Sequence, residues 1–404
     1  IFLFLLKLLL PMRRIYFLFL IICCLKSFSQ EKEITIVFRD IESQLPVDEV
    51  TLTILRTKES FISNADGMVK ILLKRPSYLE VSHSSYKKFI VKSITLNEEE
   101  NVIYLENTVN KLPEIILTKD HPQDILKKIV DNSKEKLSVP SNLRVYIREF
   151  FKKNDANILY NDGLVNFQIL KDKSSIKTDI LVEQNRVLGI LNEKTDKDIY
   201  GYNLNNLMEN YYKFKYLDEV LDNKVKKLYD FQIKSYPENE NYYQLIIKPL
   251  EEAKGYLFHY TILYDHTKRI IIEIDNFIEP ERAEEHADYS ISGKKNVYKS
   301  AFKMTYRVKG NEEYYLVYAK EEIGFLAKQD KEMIKTEVRN YFVTNKFTKR
   351  LFTYDAKEVF KDKTLLNRSN TILTDFWNID SGLVLTQEEQ DFIDSLTGAY
   401  EETQ

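Results

Sequence analysis

The amino-acid sequence predicts a mainly β protein: a small N-terminal β-sandwich, a linking helix, then a large antiparallel β-sheet with few helices. Three observations lead there. Apolar residues recur with period 2 in short runs, the signature of half-buried strands. The gaps between runs carry Asn, Asp, Gly, Pro and Ser, the residues that make turns. The chain of 404 residues also holds 27 Tyr and 23 Phe, side chains that pack well on a pleated surface.

Length and composition set the bounds. At 404 residues two or three domains are expected. Hydrophobic residues make up 44% and charged residues 30%, against wholesale disorder. With 10 Gly and 9 Pro there is no collagen-like or long flexible low-complexity stretch.

Residues 1–29 read as a signal peptide. Met12-Arg13-Arg14 opens a basic segment, Ile15–Leu25 is apolar, and Ser27-Phe28-Ser29 sets small residues before a cut at Gln30. Met12 is the expected true start. Taken whole, Ile1–Leu25 could instead span a bilayer as an anchor. Both cysteines, Cys23 and Cys24, lie in this segment. Lipidation is a further alternative, although Ile22 and Cys23 are poor neighbours for a modified Cys. A cleaved chain has no disulfide, thiolate metal site or Cys nucleophile. It also loses Lys7, Arg13, Arg14 and Lys26, which leaves 55 basic against 62 acidic residues, a balance of −7. That mildly acidic balance, with no basic block, argues against nucleic acid as a partner.

Residues 30–118 form the expected sandwich. Ile34, Ile36 and Phe38 alternate, as do Val50, Leu52 and Ile54, and Val69, Ile71 and Leu73; Leu79 and Val81, Phe89 and Val91, and Val102 and Tyr104 follow. Turn chemistry separates them, most clearly at Asn64-Ala65-Asp66-Gly67. The runs Val37–Asp40, Leu45–Val50, Ser63–Gly67 and Leu79–Tyr86, closed by Leu112–Leu117, resemble the carboxypeptidase-regulatory-like domain. That resemblance implies a transthyretin-like β-sandwich of the kind that opens secreted Bacteroidetes-type proteins. Asp48 and Ser85 stand where that family prefers Gly, so these turns are expected to differ in detail. The match spans less than a quarter of the chain.

Residues 119–141 predict the linking helix, with Pro122 in its first turn and Ile125, Leu126, Ile129, Val130 and Leu137 as an apolar stripe. Residues 142–380 predict antiparallel strands: Val145–Phe151, Leu164–Ile169, Tyr229–Ile233, Tyr242–Ile247, Leu257–Tyr264, Ile270–Ile274, Lys299–Val308, Tyr314–Lys320 and Val338–Phe347. Expected turns are Tyr160–Gly163, Pro237–Asn239, Asp265–Thr267 and Lys309–Asn311, and short joins of this kind imply antiparallel pairing. Leu204–Val220 is the internal helix candidate. Tyr242–Pro249, Ile262–Asp265 and Arg269–Ile271 resemble a step in lipoprotein-carrier-like half-barrels, so the sheet is expected open or half-closed; an unrelated antiparallel sheet would show the same pattern. A late Phe376-Trp377 completes the likeness to secreted proteins with a carboxypeptidase-like regulatory domain. Residues 381–404 predict a terminal helix and tail, with Thr386-Gln387-Glu388-Glu389 as a capping box and Gly398 as its stop.

No motif identifies a reaction. H-E-x-x-H, G-x-S-x-G, a P-loop, G-x-G-x-x-G and a calcium loop are all missing. His121 reads as a helix-cap residue, His83 as an interior or edge histidine, and Glu281–His286 as a solvated acidic loop rather than a metal site. The pairs Tyr211-Tyr212, Tyr242-Tyr243 and Tyr314-Tyr315 could line a ligand groove or pack on a sheet face. No catalytic, cofactor-binding or metal residue is assigned, and no enzyme activity or cofactor is expected. The expectation is an exported, non-enzymatic binding, scaffolding or envelope-assembly protein, periplasmic or associated with the outer membrane, with another envelope protein as partner. The alternative is a periplasmic carrier of a lipid or other apolar ligand in a half-barrel cavity.

Overall fold

Strands β1 (Lys32–Asp40), β2 (Thr51–Ile54), β3 (Glu59–Ile62), β4 (Met68–Leu73), β5 (Tyr78–His83), β6 (Tyr86–Lys92) and β7 (Glu100–Leu105) build an N-terminal sandwich. They are seen in a computed structural model that describes residues 32–106, 113–172, 175–189, 203–237, 239–285, 295–309, 313–329, 332–371 and 383–401. The expected signal peptide at 1–29, the Phe376-Trp377 pair and His286 lie outside the described residues, as does Gly310 of the expected turn at Lys309–Asn311.

One sheet of the sandwich runs β4-β1-β7, with β7 parallel to β1; the other runs β3-β2-β5-β6. Between them Ile34, Ile36, Phe38, Leu52, Ile54, Val69, Ile71, Leu79 and Val81 form one buried cluster. The alternation read from the sequence therefore has the right phase in β1, β2, β4 and β5. It has the wrong phase in β7, where Val102 and Tyr104 are exposed and Leu105 is buried. Asn101 sets that register: its side-chain amide donates to the Thr35, Asn97 and Glu99 carbonyls at 3.1, 3.1 and 3.0 Å. A polar residue thus takes an inward position, and the apolar residue next to it turns out. Strand β3 was not foreseen; its four residues lie between two turns and carry Glu59 and Ser60.

The Asn64–Gly67 turn forms as expected. Gly67 N donates to the Asn64 carbonyl at 2.9 Å, and the Asn64 side-chain oxygen accepts from Asp66 N and Met68 N at 3.0 and 2.9 Å. Gly67 has φ +73°, and a Cβ there would sit 2.4 Å from the Phe38 carbonyl oxygen.

Helix α1 (Pro122–Lys136) starts at the predicted place. Strands β8 (Ser141–Lys153), β9 (Ala156–Asp172) and β10 (Ser175–Gly189) follow, then helices α2 (Leu204–Tyr212) and α3 (Asp218–Leu221). Next come β11 (Tyr229–Ser235), β12 (Tyr242–Pro249), β13 (His259–Asp265), β14 (Ile270–Phe277), the short helix α4 (Pro280–Glu285), β15 (Lys295–Lys309), β16 (Glu313–Gln329) and β17 (Glu332–Thr348); α5 (Gln387–Glu401) ends the described chain. The large sheet runs β11-β12-β13-β14-β15-β16-β17-β8-β9-β10, every pair antiparallel. At the end of β17 the pair Lys346–Glu59 joins it to β3, so that both parts share one 14-stranded sheet. It is not a closed barrel. The β11 and β10 edges of the large sheet each carry an isolated bridge: Ile116 N donates to the Ile233 carbonyl on β11, and Asn185 on β10 exchanges backbone bonds with Thr371.

One face of the large sheet lies under the helices. Leu126, Ile129 and Val130 of α1 and Leu207, Met208 and Tyr211 of α2 join Phe214, Leu217, Tyr306 and Phe342 in a single apolar cluster. Fully burying each such side chain contributes roughly 1.5–3 kcal/mol. The helix expected over Leu204–Val220 is broken at Phe214, which adopts φ +53°. A left-handed residue at a helix end turns the chain, and here it drives the Phe214 ring onto Tyr306, 5.1 Å between centroids.

Two further expectations are corrected. Tyr160–Gly163 is not a turn but the middle of β9, paired on both sides by β8 and β10. The chain reverses instead at Asn154 and Asp155, with φ +49° and +65°, the left-handed pair that a two-residue hairpin loop requires. Strand β10, also unforeseen, is mostly half-buried and lies at the sheet edge. At the C-terminus the capping box forms: Glu389 N donates to the Thr386 hydroxyl and Thr386 N to the Glu389 carboxylate, each at 3.2 Å. Gly398 does not stop the helix, which runs to Glu401. Among the described residues no helix is long and apolar enough to cross a membrane.

Candidate functional site

Where the outer face of β2, β3 and β5 meets the large sheet, a cleft of about 520 Å³ opens. Strand alternation decides its lining. In β2, Leu52 and Ile54 point into the sandwich core, so Thr51 and Thr53 point out into the cleft. In β5, Leu79 and Val81 point in, while Glu80, Ser82 and His83 line it. The opposite wall comes from Tyr242, Ile272, Arg307, Val308, Tyr315 and Val317. Tyr306 and Tyr314, the neighbours of Arg307 and Tyr315, are buried on the helix-covered side. Each adjacent pair thus divides between the two faces, as the pleat demands.

The seam beside the cleft is fastened by polar contacts. Lys303 Nζ lies 2.6 Å from Glu49 Oε2 and 3.6 Å from Glu273. Burial, with Glu273 close by, lifts the Glu49 carboxyl to about 7. Burial works against the charge on Lys303, but Glu273, Glu49 and Asp275 hold its ammonium above the usual lysine range. The two shifts pull in opposite senses. The geometry explains both: one cation faces three carboxylates, so it keeps its charge while Glu49 is the acid that gains a proton. Ser85 and Tyr236 share a hydroxyl–hydroxyl bond of 2.9 Å across the same seam.

His83 is an edge histidine, as expected. Its Nδ1 accepts from Ser85 N at 3.0 Å, and its ring meets Tyr86 edge-on, 5.2 Å between centroids. Burial, then the positive charges of Arg307 and Lys303, lower it to about 3. It is therefore neutral, with the proton on Nε2. His121 is the expected cap: Nδ1 accepts from Gln123 N at 3.1 Å. Glu281 and Glu284 belong to α4 rather than to a loop. The tyrosine pairs divide between both alternatives. Tyr211, Tyr212 and Tyr314 pack in the core; Tyr242 and Tyr315 line the cleft, and Tyr243 stacks on His266 at 4.2 Å.

A second polar constellation was not foreseen, because the sequence reads as a turn there. Asp162 is fully buried and accepts from Tyr160 OH at 2.6 Å, Tyr146 OH at 3.1 Å and Arg186 at 2.7 and 3.2 Å. Arg148 donates to Tyr146 OH at 2.9 Å and to the Leu383 carbonyl at 2.6 Å, and lies 3.5 Å from Glu389. Tyrosine hydroxyls recur on other buried acids. Glu321 accepts from Tyr211 and Tyr216 at 3.0 and 2.6 Å, and Glu219 from Tyr229 and Tyr260 at 2.5 and 3.1 Å. Burial raises both carboxyls above the usual range. Carboxyls held by two tyrosine hydroxyls in this way serve as structural anchors. Among the described residues no group of three or more His, Cys, Asp or Glu side chains could hold a metal ion.

The fold and site together define an open antiparallel β-sheet protein with a cleft at its junction with a β-sandwich. No family model matches the chain, and no curated protein matches it. Two solved structures are similar to it. A LolA-superfamily protein from Nitrosomonas europaea is 9% identical, covering 58% of this chain and 97% of that one, with a TM-score of 0.21. A protein of unknown function from Bacteroides fragilis is 9% identical, covering 78% of this chain and 99% of that one, with a TM-score of 0.16. Likeness at this level carries no functional weight.

Proposed function

We propose that the chain is an exported, non-catalytic binding protein of the cell envelope that carries an amphipathic ligand. The observation that supports this is the seam cleft, whose size falls within the roughly 300–1,000 Å³ of pockets that enclose small organic ligands. Its walls mix Ile272, Val308 and Val317 with Arg307, His83 and Thr51. The carrier alternative placed the ligand within the half-barrel; the helix-covered face of the sheet is instead packed with Phe214, Tyr306 and Phe342, and the ligand belongs at the seam. The sandwich, by its resemblance to a carboxypeptidase-regulatory-like domain, is an accessory module that supplies one wall. A non-catalytic role fits buried carboxylates already occupied by tyrosine and arginine. The test is solvent extraction of the purified chain, expressed with its export segment, followed by mass spectrometry. An amphiphile near one equivalent supports the reading; a ligand-free protein that also fails to take up an apolar fluorophore overturns it.

A second reading, a scaffold that holds another envelope protein, is favoured by the exposed apolar side chains Tyr78, Ile90, Ile94, Val102 and Tyr104 on the sandwich. Charged replacements at Ile90 and Ile94 would release such a partner in a crosslinking experiment without changing ligand content. Unchanged crosslinking overturns it.

A further inference from the structure

We infer that the seam cleft recognises an amphipathic anion, with a carboxylate or phosphate group on Arg307 and an apolar tail along Leu55, Tyr242 and Val308. This deepens the binding reading and rests on it.

The first observation is the state of the cations around the cleft. Lys88 is paired with Glu80 at 2.8 Å, and Lys268 lies 3.9 Å from Asp265. Asp265 is occupied further by Thr267 N and Lys268 N, at 3.0 and 2.8 Å. Both acids of the lining are therefore engaged. Arg307 donates to the Tyr306 carbonyl at 3.2 Å, and among the described residues no carboxylate lies within ion-pair distance of it. A guanidinium has five donors in a planar fork suited to carboxylate and phosphate. Among the described residues most of that fork is unused.

The second observation is Thr51. It is 5% exposed, lines the cleft, and among the described residues its hydroxyl has no hydrogen-bond partner. A buried polar group left in that state costs about 1–3 kcal/mol, and an incoming oxyanion would relieve it. The third is His83. With Nδ1 occupied by Ser85 N, Nε2–H is a donor, and among the described residues nothing accepts from it. Three groups around the cleft thus offer hydrogen bonds to an acceptor, one with a formal positive charge. Lys87, exposed on the same lining, adds long-range attraction for an anion.

The apolar wall decides against a bare inorganic ion. Ile272 and Val317 back the cleft from within the core, and the apolar surface that it presents lies at Leu55, which is 38% exposed, and at half-buried Tyr242 and Val308. A small anion would leave this surface wet, whereas an alkyl tail gains about 25 cal/mol for each Å² it buries there.

Calorimetric titration of the full chain decides the matter, with dodecanoate below its micelle concentration, dodecanol and inorganic phosphate as probes. Dodecanoate is expected to bind at least tenfold more tightly than dodecanol. Arg307→Gln is expected to lose that difference, Arg307→Lys to keep most of it, and Thr51→Val to weaken dodecanoate severalfold. Should Arg307→Gln fail to fold, the dodecanoate-to-dodecanol ratio in the unaltered chain and in Arg307→Lys decides alone. Equal affinity for both amphiphiles, unchanged in Arg307→Gln, overturns the anion assignment and leaves the binding reading standing. No binding of either amphiphile overturns both. Inorganic phosphate binding as tightly as dodecanoate overturns the tail assignment in favour of a small-anion site.

Discussion

Lys303 Nζ stands 2.6 Å from Glu49 Oε2, and this ion pair crosses from the large sheet to the sandwich beside the seam cleft. Removing the cation leaves Glu49 facing Glu273 with no counter-charge. Lys303→Met is expected to destabilise the protein by roughly 2 kcal/mol, below the usual figure for breaking a buried pair because Lys303 is partly exposed. Glu49 has a raised folded value near 7, so the folded state binds its proton more readily than the unfolded chain. Its contribution therefore improves as pH falls from about 7 toward its ordinary value. The loss in Lys303→Met should accordingly be larger at pH 8 than at pH 5, as measured by urea unfolding at both.

Arg148 ties the C-terminal segment to the sheet. It is fully buried, and it reaches the Leu383 carbonyl at 2.6 Å and Glu389 at 3.5 Å. Arg148→Met strips a partner from both and is expected to cost about 3–5 kcal/mol. Thr386→Ala removes only half of the capping box at the same helix and should cost about 1 kcal/mol. Amide exchange separates the two. Arg148→Met should expose amides of α5 and of β8 together, whereas Thr386→Ala should affect the first turn of α5.

What the sequence disclosed follows from how far each signal reaches. Period-2 alternation is local, so β1, β2, β4 and β5 were legible with the correct inward face, and Thr386-x-x-Glu389 gave its cap outright. Asn161-Asp162-Gly163 misled because turn residues were read without their partners. Asp162 is buried by Tyr146, Tyr160 and Arg186, and Gly163 is tight because a Cβ would meet Leu365 Cδ1 at 2.6 Å. Tyr146 and Arg186 come from the neighbouring strands β8 and β10, and Leu365 from a short helical turn some two hundred positions away. The cleft was hidden for the same reason. Thr51, Thr53 and Ser82 announce a polar outer face, but nothing in β2 or β5 says that Arg307 and Tyr315 will face it. The tyrosine excess predicts sheet packing, and beyond that several tyrosines supply hydroxyls to acids such as Asp162, Glu321 and Glu219.

Gly67 is a point where one methyl group should unfold the sandwich locally. Its φ of +73° is unfavourable for a residue with a side chain, and the added Cβ would press on the Phe38 carbonyl. That carbonyl already accepts from Val47 N at 3.0 Å. Gly67→Ala should cost more than about 2 kcal/mol, left-handed strain and the clash acting together. Asn64→Ala, which removes two side-chain acceptor bonds at an otherwise intact turn, should cost about 1 kcal/mol. Thermal unfolding of the two variants side by side checks the order.

His83 should give the protein a pH response of its own. Its folded value is lowered to about 3, while an unfolded histidine titrates near 6.5. Between those values the unfolded chain binds the proton and the folded chain does not, so His83 contributes a loss of stability that grows as pH falls below about 6.5. At pH 5 the loss amounts to roughly 2 kcal/mol. Glu49 pulls the opposite way in the same range, so the whole-protein curve mixes the two. His83→Asn separates them, because its side-chain oxygen can still accept from Ser85 N while nothing at that position titrates. The stability difference between the unaltered chain and His83→Asn should therefore shift by about 2 kcal/mol between pH 8 and pH 5, in favour of the variant at the lower pH. Arg307→Gln, by removing one of the charges that repel the His83 proton, should raise the His83 midpoint in an NMR titration. A histidine that titrates near 6.5 in the folded protein, indifferent to Arg307, would show that His83 stands in water rather than in the cleft wall.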